Sequence, residues 1–103
     1  MQMHDAKRVE VIIEAVMEKQ VRRALDEAGV SGFTILPVLG GAGRSGRWTR
    51  EGMVGRGSGM ISVICLIAPI RLDGLLEALF PVLEDHIGVV SVTDTRILRA
   101  ERF

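Results

Sequence analysis

The run Met60–Ile70 (MISVICLIAPI) restricts the possible folds more than any other segment of this chain. As an extended strand it carries Ile61, Val63, Cys65 and Ile67 on one side and Ile64, Leu66 and Ala68 on the other. Successive side chains of a strand point to opposite faces, so this strand needs cover on both. An antiparallel sheet with one wet face would instead alternate apolar and polar residues.

The remaining segments supply the rest of a sheet. Lys7–Glu14 alternates Val9, Val11 and Ile13 with more polar neighbours and reads as a strand, with Ile12 adding apolar character to its second face. Met17–Ala28 spaces Met17, Val21, Ala24, Leu25 and Ala28 as a helix, and Gly29 follows as a left-handed C-terminal cap. Gly32–Leu39 is a second strand, in which Pro37 points to a sheet edge or to the end of regular pairing. Leu72–His86 is a second helix that Pro81 should kink or shorten, with Leu72, Leu75, Leu76, Leu79, Phe80 and Leu83 on one broad face. Gly88–Leu98 is the fourth strand. The order β-α-β-β-α-β predicts an α+β, ferredoxin-like fold, a four-stranded antiparallel sheet with two helices on one face. The second face, left bare, would expose several hundred Å2 of apolar surface, roughly the most a monomer tolerates. Another subunit is therefore expected to cover it.

Composition narrows the function. A chain of 103 residues suits a single domain, taken here as 1–103, and the 13 basic residues balance 13 acidic ones. No global field would draw such a protein onto nucleic acid or an acidic membrane. The start MQMHDAKRVE lacks the apolar region of a signal peptide, no apolar run approaches about 20 residues, and Cys65 has no disulfide partner, so a cytoplasmic protein is expected. His4 is expected in a frayed terminus and His86 at a helix end, neither with a motif partner. Glu10, Glu14, Asp73, Glu77, Glu84 and Asp85 read as solvated faces and caps. The minimal parts of zinc hydrolases, dithiol redox proteins, serine hydrolases and P-loop proteins are missing. The sequence predicts neither an enzyme nor a metal site.

Residues 40–59 (GGAGRSGRWTREGMVGRGSG) concentrate eight of the 12 glycines, and Arg44, Arg47, Arg50 and Arg56 face a single acid, Glu51. A connection of this length between neighbouring strands is far longer than a hairpin needs. Gly40, Gly41 and Gly43 would let successive backbone N–H groups converge on an anion, and Arg44 and Arg47 would add forked hydrogen bonds to phosphate or carboxylate. A plain solvated loop is the competing reading.

Three stretches resemble the PII signal-transduction family: KRVEVIIEAVMEKQVRRALDEAGVSGFTI, the glycine-rich GGAGRSG and the late DHIGVVSV. The resemblance covers nearly the whole chain. It implies a homotrimer whose open sheet faces pack together, with adenine nucleotides bound in clefts between subunits. In that family the base of a long T-loop (about 40–58 here) supplies backbone N–H groups, a B-loop supplies a glycine, and the C-terminal stretch supplies basic side chains. By position the T-loop base corresponds to Gly40, Gly41, Gly43 and Arg44, and the B-loop to Ile87, Gly88 and Val89. Arg99 and Arg102 fall where the family places phosphate-binding arginines. Thr34 matches a threonine of the adenine and ribose pocket.

The departures from the family are as informative. The chain has no tyrosine, so tyrosyl modification of the T-loop is impossible. Ser45 stands where a glutamine serves 2-oxoglutarate binding, and Gly88 runs straight into VVSV without the usual glycine-aspartate-glycine-lysine turn. The doubled glycine and the clipped B-loop look like the PII-like proteins associated with bicarbonate transporters and carboxysomes. That likeness implies ADP or AMP as ligand, with ATP and cyclic AMP as alternatives, and bicarbonate as a second signal. Gly41, Gly43, Arg44, Ser45, Gly46 and Arg47 are the candidate bicarbonate donors. The expectation is a sensor whose T-loop changes conformation to control a partner in inorganic-carbon metabolism, such as a bicarbonate transporter, without nucleic acid or membrane insertion. The alternative, an RNA-binding module, requires aromatic side chains on the open sheet face.

Overall fold

The computed structural model describes residues 1–43, 46–49 and 59–98, with backbone alone at 46–49. In chain order the elements are β1 (His4–Glu14), α1 (Glu18–Glu27), β2 (Thr34–Val38), β3 (Gly40–Gly43), β4 (Gly46–Thr49), β5 (Met60–Ile67), α2 (Leu72–Leu83) and β6 (Gly88–Ile97). Single 3-10 turns, Ala15–Met17 and Pro69–Arg71, lead into the helices. β2, β5, β1 and β6 form one antiparallel sheet in that order, the ferredoxin-like arrangement, and β3 pairs with β4 in a separate two-stranded sheet. No helix among the described residues is long and apolar enough to cross a membrane.

One sheet face carries the core. Val9, Val11 and Ile13 of β1 and Ile61, Val63, Cys65 and Ile67 of β5 pack against Met17, Val21, Ala24 and Leu25 from the first helical segment and Leu75 and Leu79 of α2. The α1 stripe follows the 3.6-residue period. Its end is fixed by Gly29, at φ +76°: the Val30 N–H bonds the Leu25 carbonyl (2.9 Å) and the Gly29 N–H bonds the Asp26 carbonyl (3.0 Å). This is a Schellman cap, closed by the buried side chains Val30 and Leu25.

Several elements differ from the sequence expectation. His4 is not frayed: β6 extends to Ile97 and pairs with it, so β1 begins earlier than Lys7. β5 stops at Ile67 because Pro69, which has no N–H to donate, opens a 3-10 turn. α2 ends at Leu83, two residues after Pro81, rather than at His86. Phe80 lies outside the core, 64% exposed. The inward face of α2 is rotated toward Ala78 and Val82, which pack on the core, and each residue turns the helix by about 100°, which carries Phe80 outward. Pro37 does sit on an edge strand, β2.

No helix among the described residues covers the opposite sheet face. The strand registers place Arg8, Glu10 and Ile12 of β1 there, beside Ser62, Ile64 and Leu66 of β5, Thr34 and Leu36 of β2, and Val89 and Ser91 of β6. Leu36, Leu66 and Val89 are exposed. At the centre the Ser62 hydroxyl donates to the Glu10 carboxylate (2.7 Å), and Arg8 Nη1 lies 3.7 Å from the other Glu10 oxygen. Glu10 is thus a bonded member of this face rather than a plain solvated acid.

Candidate ligand-binding site

A cleft of about 640 Å3 lies at the end of the sheet where β2 begins and β5 ends. Residues 29–34 form one wall, residues 64–67 of β5 another, and Arg71, Ile97 and Leu98 complete it. The Gly29 cap creates this wall by turning the chain sharply out of α1. Arg71 reinforces it: its Nη1 donates to the Ala28 carbonyl (3.4 Å), and a Cβ added at Gly29 would come within 2.6 Å of that nitrogen. The Arg22 guanidinium lies 5.7 Å from the centre of the Phe33 ring, a cation–π distance. The lining is mostly apolar, with Thr34 and Ser31 as polar groups and Arg71 as the one charged residue among the described lining residues. Such a cleft suits a flat heterocycle with a few polar edges. Cys65 also lines it, and burial pushes its thiol up to about 11, so the unreactive protonated form dominates near neutral pH.

The other candidate residues lie elsewhere. Gly40, Gly41 and Gly43 form β3, pairing with Thr49, Trp48 and Gly46. The only positive-φ residues among those described are Gly29 and Gly59. Residues 40–43 run as extended backbone, part of whose hydrogen bonding a hairpin partner satisfies. Gly46 and Arg47 lie on the partner strand β4. Arg44, Ser45, Arg50, Arg56, Arg99 and Arg102 lie outside the described residues.

Gly88 and Val89 open β6 at the opposite sheet edge from β2, directly after Ile87 at the end of the preceding loop. A Cβ at Gly88 would come within 3.1 Å of the Ile12 carbonyl oxygen, Ile13 Cγ1 and Leu83 Cδ2. Close packing alone therefore accounts for glycine here, and a side chain at 88 disturbs β1 and α2 before it disturbs any ligand. The Ile87 N–H donates to Glu14 Oε1 (3.1 Å), and His86 Nδ1 lies 3.5 Å from the same oxygen. Neither Glu14 nor Arg71 stood out in the sequence, since their partners are far away along the chain and carry no motif.

Among the described residues, one chain does not bring Thr34 together with Gly40 or with residues 87–89. Thr34 and Gly40 are separated by extended chain of about 20 Å, at about 3.3 Å per residue. β2 and β6 are separated by β5 and β1, about 14 Å at the usual strand spacing. On the open face the central sheet residues are Glu10, Ser62 and Ile64, and none of the described residues there is aromatic, so the stacking platform of an RNA-binding sheet is absent from them.

The profile of the nitrogen regulatory protein P-II family matches residues 6–102. Among solved structures, CPII from Thiomonas intermedia K12, a nitrogen regulatory PII-like protein bound to ADP, AMP and bicarbonate, is 31% identical with a TM-score of 0.91. That match covers 99% of this chain and 96% of CPII. CPII bound to ADP and bicarbonate matches at 31% identity and a TM-score of 0.86, covering 99% and 97%. A PII-like signaling protein from Thermus thermophilus shares the fold at 19% identity and a TM-score of 0.81, covering 100% and 99%. No curated protein matches the chain in sequence. With its strand order, its capped first helix and a profile match running from β1 beyond β6, the chain belongs to the nitrogen regulatory P-II family.

Proposed function

We propose that this protein is a PII-like sensor that binds ADP or AMP, together with bicarbonate, in clefts between the subunits of a homotrimer. The observation that carries the reading is the near full-length likeness to CPII in its ADP-, AMP- and bicarbonate-bound form. The dispersal of candidate residues supports the shared site. The apolar cleft at Thr34 suits the adenine of one nucleotide, while the 40–47 segment and residues 87–89 of another copy reach its phosphates. Arg99 follows directly in sequence on Leu98, which lines the cleft, and Arg102 comes three residues later. The exposed Leu36, Leu66 and Val89 give the open sheet face the apolar surface that a second and third copy would cover. Ligand state then sets the conformation of the segment about 40–58, which controls a partner protein in inorganic-carbon metabolism.

Calorimetric titration with AMP, ADP and ATP, alongside light scattering, tests the reading. The expected result is a mass of three chains and one adenylate per chain. A monomer at micromolar concentration, or no heat with any adenylate, contradicts it.

A further inference from the structure

Glu14 closes β1, and its carboxylate already occupies a donor in the loop that opens β6. Oε1 accepts the Ile87 N–H at 3.1 Å, with His86 Nδ1 3.5 Å away. We propose that Glu14 is a specificity-determining residue that makes this site reject longer phosphate chains. The inference rests on the reading that adenylate phosphates lie against residues 87–89.

A phosphate oxygen arriving at the Ile87 N–H meets a carboxylate oxygen with the same demand. It must displace that oxygen or share the donor with it, and in either case a negative charge stays within a few Å. Each further phosphate adds about one negative charge, so the repulsion rises from AMP to ADP to ATP. The surrounding groups do little to offset it. The loop between α2 and β6 begins with the acids Glu84 and Asp85 and brings no lysine or arginine, His86 is the one basic side chain beside the carboxylate among the described residues, and Gly88–Val92 contains no lysine. The Glu14 side chain is 35% exposed, so water and salt screen the effect only in part. The bond to Ile87 also keeps the carboxylate pointed at the loop.

The test measures Kd for AMP, ADP and ATP at fixed pH and ionic strength without divalent cations, in the wild type and in Glu14→Gln. Glutamine keeps an acceptor oxygen for Ile87 and nearly the same volume, so the loop stays held while the charge goes. ATP should gain about five- to tenfold in affinity and AMP about twofold or less, with ADP between them. The ATP gain should shrink in high salt. Glu14→Asp, which keeps the charge, should hold the wild-type preference, and Glu77→Gln on the exposed face of α2 should do the same. An ATP-to-AMP affinity ratio that Glu14→Gln leaves unchanged overturns the proposal while the adenylate site stands. A wild type that binds no adenylate overturns both.

Discussion

Val63→Asp should leave the chain unfolded, whereas Ile64→Asp should leave it folded and unable to assemble. The two neighbours sit on opposite faces of β5. Val63 is 2% exposed, paired with Val11 and Ile35 and packed beneath the helices. A carboxylate there has no partner, and an unpaired buried charge costs several kcal/mol, a large part of the roughly 5–15 kcal/mol that holds a domain together. Ile64 lies on the open face between Thr34 and Glu10. In a single chain an aspartate at 64 reaches water. In a trimer it is pressed against the neighbouring subunits and beside the Glu10 carboxylate. Circular dichroism should thus show native secondary structure for Ile64→Asp and its loss for Val63→Asp, and light scattering should find Ile64→Asp at the mass of one chain. Ile64→Asp that keeps the mass of three chains would mean that the open sheet face is not the interface.

Arg44→Ala should weaken adenylate binding by about 1.5–3 kcal/mol, the usual worth of a hydrogen bond to a charged group, which is about ten- to a hundredfold in Kd. Thr34→Trp should weaken binding at the other end of the ligand by filling the cleft that Thr34 lines. Neither loss alone locates the site. Mixing the two variants after unfolding and refolding does. If each site draws Thr34 from one copy and the 40–47 segment from another, some interfaces in mixed trimers combine two intact halves. Calorimetry should then detect a minority of sites with wild-type affinity. A site built within one chain would recover nothing, because every chain carries a lesion.

Much of the fold was legible because it rests on short-range chemistry. The alternation in β1, the 3.6-residue stripe of α1 and the two-sided apolar run of β5 are patterns between near neighbours, and Gly29 marks its own cap through its φ. Sequence places Phe80 on the wrong side of α2 because a leucine-rich helix offers two overlapping apolar faces, and only packing selects between them. The β3–β4 hairpin carries no sequence signal because glycine leaves no alternation to read. His4 gained a strand because β6 runs on to meet it, a property of a segment distant in sequence. The site was legible only in pieces. Thr34 lies on the cleft, but Glu14 meets Ile87, and Arg71 meets Ala28, across spans that no single sequence reveals.

The most direct test of the proposed sensing function is a nucleotide titration with and without millimolar bicarbonate, at fixed pH and ionic strength. Fixing a glycine-rich segment costs about 1–2 kcal/mol per residue in backbone entropy, so a first ligand that orders part of it lowers the cost for the second. Bicarbonate should therefore tighten ADP or AMP binding, and by linkage the nucleotide must tighten bicarbonate by the same factor. Trp48, the single tryptophan, lies in this segment and should report the change in its fluorescence. The predicted result is a lower nucleotide Kd in bicarbonate with a matching Trp48 response. Identical affinities in the two series, with unchanged fluorescence, would contradict the account and leave no role for the second ligand.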